Sequence, residues 1–108
     1  LRALSLKHEI SDVARQHSQN MADKVVSFGH EEFQKRTDEI KTKIMFKRTS
    51  ENVAMNNAPL AAQLAVRGWI NSEGHKKNME GDYNLTGVGI ARSRDGSWYF
   101  TQIFVSTY

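Results

Sequence analysis

Ile10, Val13, Ala14, His17, Met21, Ala22 and Val25 recur at intervals of three and four residues. That spacing lays one apolar face along a helix and predicts one from about Glu9 to Val26. His17 falls on this stripe, where a packed and hydrogen-bonded core histidine is the expected reading. Gly29 interrupts the pattern and puts His30 just beyond the helix end. From Glu31 to Lys43 the chain turns polar, with Phe33, Ile40 and Ile44 as anchors, so a short helix followed by an irregular stretch is expected. Glu31, Glu32, Lys35, Arg36, Asp38, Glu39 and Lys41 mix their signs and read as a solvated face. Met45 to Met55 carries Phe46, Val53 and Met55 among polar residues, which predicts a loop and then a strand bearing Glu51.

The second half restarts the helical period. Pro59 suits a first helical turn, where its missing N–H costs nothing, with Asn57 or Ala58 as N-cap. Leu60, Leu64, Ala65 and Trp69 are the expected buried stripe. Ser72 is placed to cap a further short helix from Glu73 to Met79, with His75 in its opening turns. The tail then changes period. Thr86 to Arg92 and Ser97 to Val105 read as strands joined around Arg94-Asp95-Gly96, and Asp-Gly between such runs signals a hairpin. Trp69, Trp98, Tyr99, Phe100 and Phe104 are expected in the core. Gly87 and Gly89 alternate with Val88 and Ile90, so one face of that strand permits close approach of a helix or loop. Helices first and a hairpin last predict an α+β layered fold.

Composition narrows the function classes. The 108 residues, 39% hydrophobic and 25% charged, suit one soluble domain over residues 1–108. No apolar run reaches the roughly 18 residues of a bilayer span, so no membrane insertion is expected. The net charge of +3 is spread among alternating signs, so no nucleic-acid partner is expected. With no cysteine, a disulfide framework, a thiolate metal site and a cysteine nucleophile are excluded.

The remaining chemistry rests on His30, Glu51 and His75, the residue types that bind divalent cations or move protons near neutral pH. Two imidazoles and a carboxylate suit a zinc site with one position left for water. The same groups serve equally as a general base, with Ser72 or Ser50 as nucleophile or polar support, or as hydrogen-bonding props for loops. Met45, Phe46, Met55 and Met79 are candidates for an apolar lining or for plain core packing.

Taken in order, these frames resemble the CAP superfamily, also called the SCP domain, in a cysteine-free bacterial-type form. The matching landmarks are Leu4-Ser-Leu-Lys with Ile10, Ala14 and His17-Ser18 through Met21-Ala22, then His30, Glu51-Asn-Val-Ala, Trp69 through His75-Lys-Lys-Asn, Gly87-Val-Gly-Ile-Ala and Trp98-Tyr-Phe-Thr-Gln-Ile-Phe. The resemblance implies a CAP-type α-β-α sandwich, a central antiparallel sheet flanked by helices, with the family's first helix falling ahead of Leu1. It implies a cleft with two histidines and two acidic residues, of which His30, Glu51 and His75 carry over. The fourth position is Ser72, and Glu73 beside it points about 100° away on a helix. Ser72 and Asn52 are then cleft support, and any zinc or other divalent cation is weakly bound. The implied function is a secreted or cell-envelope domain that binds a lipid, sterol or other small molecule in a His/Glu cleft. The alternatives are a metal-assisted or general-base hydrolase of peptide or cell-wall material, and a protein-interaction module that retains the site as a relic.

Overall fold

The computed structural model describes residues 4–108; the sequence readings that touch Leu1 to Ala3 lie outside the described residues. The elements run β1 (Ser5–Leu6), α1 (His8–Ala22), α2 (Phe33–Lys41), β2 (Arg48–Asn56), α3 (Ala61–Ile70), α4 (Glu73–Glu80), β3 (Leu85–Arg92) and β4 (Trp98–Ser106). The fold is α+β, and the described residues form four helices on a four-stranded sheet of order β1-β3-β4-β2. The three long strands are antiparallel, whereas the two-residue β1 joins β3 in parallel. The sheet is therefore mixed, and its antiparallel part is the expected hairpin plus β2.

Alternation along the strands divides the core into two layers. On one face Ile10, Val13 and Ala14 of α1 and Ile40 of α2 pack with Leu85, Ile103 and Val105. Met21 and Ala22 meet Val53, Ala91 and Tyr99 farther along the same face. On the other face Ala61, Ala65 and Trp69 of α3 pack with Phe100, and Ala54, Met79 and Trp98 close around them.

The contact between α1 and β3 is a backbone approach. A Cβ at Gly87 would lie 2.3 Å from the Ser11 nitrogen, and one at Gly89 would lie 2.1 Å from the Arg15 nitrogen. No larger residue fits there without moving the helix off the sheet. Ser18 ties this seam by donating to the Gly89 carbonyl at 3.0 Å and pairing with the Thr101 hydroxyl at 2.7 Å. Helix α1 ends at Ala22, short of the expected Val26, because Lys24 takes a left-handed backbone (φ 62°) that no helix continues through.

Helix α3 departs from its expected stripe. Ala65 and Trp69 are buried, with Ala61 in line, but Leu60 and Leu64 are 64% and 49% exposed. The indole N–H of Trp69 donates to the Val53 carbonyl at 3.0 Å, which sets the rotation of the helix and turns the leucine row outward. Its N-cap is Leu60, not Asn57 or Ala58. Asn56 supports this turn from outside, accepting from the Ala58 amide and donating to the Ala61 carbonyl.

Candidate functional site

His30 is positioned by way of His17. His17 is buried on α1, and its Nε2 lies 2.7 Å from the carbonyl oxygen of Gly29. A carbonyl only accepts, so this nitrogen carries the proton. Burial lowers the His17 pKa below its ordinary 6.5, partly offset by that hydrogen bond, with Arg36 lowering it further. Gly29 itself has φ 140°, a backbone region that side chains disfavour. The tethered loop delivers His30 to the sheet.

His30 Nδ1 then lies 2.9 Å from Glu51 Oε1, while half of the His30 side chain faces solvent. The carboxylate accepts and so places the imidazole proton on Nδ1, leaving Nε2 directed away from this pair. Glu51 is buried on β2, and its partner is one that sequence reasoning assigned to a solvated face. Arg36 is buried and donates Nε to Glu51 Oε2 at 2.6 Å and Nη2 to Oε1 at 2.7 Å, a two-pronged pair. Its third nitrogen donates to the Glu31 carbonyl at 2.7 Å. A signal for this existed in the sequence: Arg36 falls between Phe33 and Ile40, on the same three- and four-residue row of α2.

On the other side of β2, Ser72 precedes α4 without capping it through its side chain. Its hydroxyl instead lies 2.8 Å from His75 Nδ1. Asn52 is fully buried and donates to the His75 carbonyl at 3.2 Å. Asn78, which the sequence offered only as the end of the His75-Lys-Lys-Asn landmark and without a site role, donates to Asn52 Oδ1 at 2.9 Å and to the Glu51 carbonyl at 3.2 Å. These amides tie α4 to the edge of the sheet.

The structure thus brings His30 to Glu51 and Ser72 to His75, on either side of one edge strand. No hydrogen bond or ion pair joins the His75 ring to His30 or Glu51 among the described residues. Nor do three His, Asp or Glu side chains gather to hold a metal ion among those residues. Both Glu51 oxygens are engaged by Arg36, with His30 on one of them. As placed here, His30, Glu51 and His75 do not fit a cation's donor set. The hydroxyl of Ser50 is buried without a partner and so has no base beside it.

Beside the Ser72–His75 pair, between β2 and α3, runs an open cavity of about 320 Å³, with neither His30 nor Glu51 in its walls. Phe28, Val53, Met55, Leu64, Trp69 and His75 are among its walls. Of the four residues proposed as an apolar lining, only Met55 reaches it. Met45 is exposed, and Phe46 and Met79 pack against the core.

Comparison with known proteins agrees with this architecture. YkwD of Bacillus subtilis is 33% identical over 108 residues, covering 97% of this chain and 40% of that protein. The membrane protein YlbC of the same organism is 41% identical over 64 residues, so the chain spans less than half of either curated relative. An extracellular SCP-domain protein of Bacillus anthracis is 32% identical with a TM-score of 0.75, over 99% of this chain and 35% of that one. An outer surface protein of Borrelia burgdorferi shares the fold at a TM-score of 0.82 and 20% identity, over 100% of this chain and 80% of its own. The sequence model of the cysteine-rich secretory protein family matches residues 1–104, and the chain belongs to that CAP family.

Proposed function

We propose that this CAP domain is an extracellular binding module whose cleft holds a small molecule with an apolar body, of the lipid or sterol class. The observation that carries this reading is the cavity whose floor is β2 and whose wall is α3, with Phe28, Met55 and Leu64 half exposed beside it. Holding such side chains in water costs about 25 cal/mol per Å² of apolar area, which a ligand covering them recovers. Ser72 and His75 at one end give the ligand a hydrogen-bonding terminus. Location outside the cytoplasm is drawn from the extracellular Bacillus anthracis relative. No helix among the described residues is long and apolar enough to cross a membrane.

Binding is preferred to hydrolysis because Glu51, the natural general base, is neutralised by Arg36. The hydrolase alternative would rest on Ser72 and His75, whose 2.8 Å contact is that of a nucleophile and its base. A third group orienting His75 Nε2 is missing among the described residues.

A fluorescent fatty acid titrated into the protein tests the reading. Saturable binding is expected, weakened about tenfold or more by Leu64→Asp, since a carboxylate would then be buried against the chain. Equal affinity of Leu64→Asp would reject the cleft as the binding site.

A further inference from the structure

The floor of the cleft is a strand edge with an uneven set of free backbone groups. In β4, the Ser106 carbonyl accepts from Lys47 on the β2 side and the Val105 carbonyl accepts from Asn84 on the β3 side. Alternation along the register then makes Arg48, Ser50, Asn52, Ala54 and Asn56 the hydrogen-bonded partners of β4. Thr49, Glu51, Val53 and Met55 direct their N–H and C=O groups away from the sheet. Two of these carbonyls are already taken, Glu51 by Asn78 and Val53 by Trp69. Among the described residues nothing bonds the N–H of Val53, or either backbone group of Met55. All four residues from Val53 to Asn56 line the cavity, so this stretch of the strand edge borders it.

We propose that β2 accepts an extended peptide as an added strand, paired through Met55 and Val53, with an acidic side chain flanked by apolar ones. The residue opposite Met55 donates to its carbonyl and accepts from its amide. Two residues along, about 7 Å away, a peptide carbonyl accepts the Val53 amide. The peptide N–H at that second position meets a carbonyl already used by Trp69.

Side-chain alternation selects the residue types. A side chain opposite Met55 lies on the Met55 face of the sheet, over a cavity of about 500 Å³ lined by Met21, Lys24, Phe28, Met55 and Tyr99, with Glu31 at its border. Lys24 donates to the Tyr99 hydroxyl at 2.6 Å and stands 4.9 Å over its ring, so its ammonium is held at this cavity. The Glu31 carboxylate, held by the Ser27 amide at 3.1 Å, is the negative group at the border of this cavity, and Lys24 is the positive group there for an acidic side chain to meet. The neighbouring peptide residues face the opposite side, against Leu64, Ala65 and Trp69, where apolar groups fit.

The assignment rests on the cleft being the binding site, and the test separates the two. A capped leucine–glutamate–leucine–leucine–leucine peptide is titrated calorimetrically into the full chain, beside the fluorescent fatty acid. Saturable binding is expected, with amide exchange of Met55 and Val53 slowed about tenfold or more. Methylating the glutamate backbone nitrogen should weaken binding about tenfold, whereas methylating the nitrogen two residues on should be tolerated. Replacing the glutamate by lysine, or making Lys24→Glu, should each weaken binding, and the two changes together should restore it. Equal binding of the peptide methylated at the glutamate, or unchanged Met55 exchange, would overturn strand addition. Fatty-acid binding without peptide binding would overturn this inference alone, and loss of both would overturn the cleft reading as well.

Discussion

The two faces of the sheet are built on different terms. On the α1 face, helix and strand meet backbone to backbone at Gly87 and Gly89, and every polar group singled out there has a partner: His17, Ser18, Arg36 and Glu51. On the α3 face the helix stands over one edge, and Leu60, Leu64, Val66 and Ile70 remain exposed. The first face has one arrangement available to it; the second leaves space that another molecule can use. Site residues sit at the border between them, on the edge strand β2, with a rigid side supplying Glu51 and a looser side supplying His75.

The largest effect should come from breaking the rigid side's charge pair. Arg36→Ala leaves a buried carboxylate without its counter-charge, expected to cost about 3–5 kcal/mol in denaturant unfolding. The double change Arg36→Met with Glu51→Leu should recover most of that loss, since it removes both charges. A small effect of Arg36→Ala alone would show that water reaches Glu51 and that the two faces are not so different.

One substitution made on both faces is a sharper comparison. Gly89→Ala drives a methyl group into the Arg15 backbone and should destabilise by about 3 kcal/mol. Gly68→Ala in α3 meets nothing within 4 Å. It should stabilise by up to about 1 kcal/mol, the helix-propensity difference between the two residues. Thermal melts of the two variants should therefore move in opposite directions, and movement in the same direction would break the comparison.

The smallest effect is pH-dependent. Because the folded pKa of His17 lies below its ordinary 6.5, the unfolded chain binds the proton more readily. His17 therefore supports stability fully above pH 6.5, and that support is lost as pH falls through the lowered folded value. His17→Gln should flatten this part of the stability profile. An unchanged slope between pH 7 and 5 would assign it elsewhere, the groups facing His17 being His30, Arg36 and Glu51.

Much of the fold was legible because its periods are strong. The α1 stripe, the β3–β4 hairpin and the small-residue face of β3 follow from spacing alone. The parallel β1 was not legible, since two residues carry no period and owe their pairing to β3. The rotation of α3 was misread because Leu60 and Leu64 are as apolar as a core row. A hydrogen bond from Trp69 to a distant strand decided which row turns inward. Arg36 was hidden by its neighbours: a run of mixed charges reads as solvated, although one member shares the row of Phe33 and Ile40.

The chain's own order of residues determined the family, the α+β layering and which side chains have chemistry to offer, because each depends on local spacing and residue type. Only the tertiary structure decided what those side chains do to one another. It gave Glu51 to Arg36, His30 to Glu51 and Ser72 to His75, because hydrogen bonds and ion pairs are settled at distances of about 3 Å. Sequence separation does not encode distances of that kind until the helices have been set against the sheet.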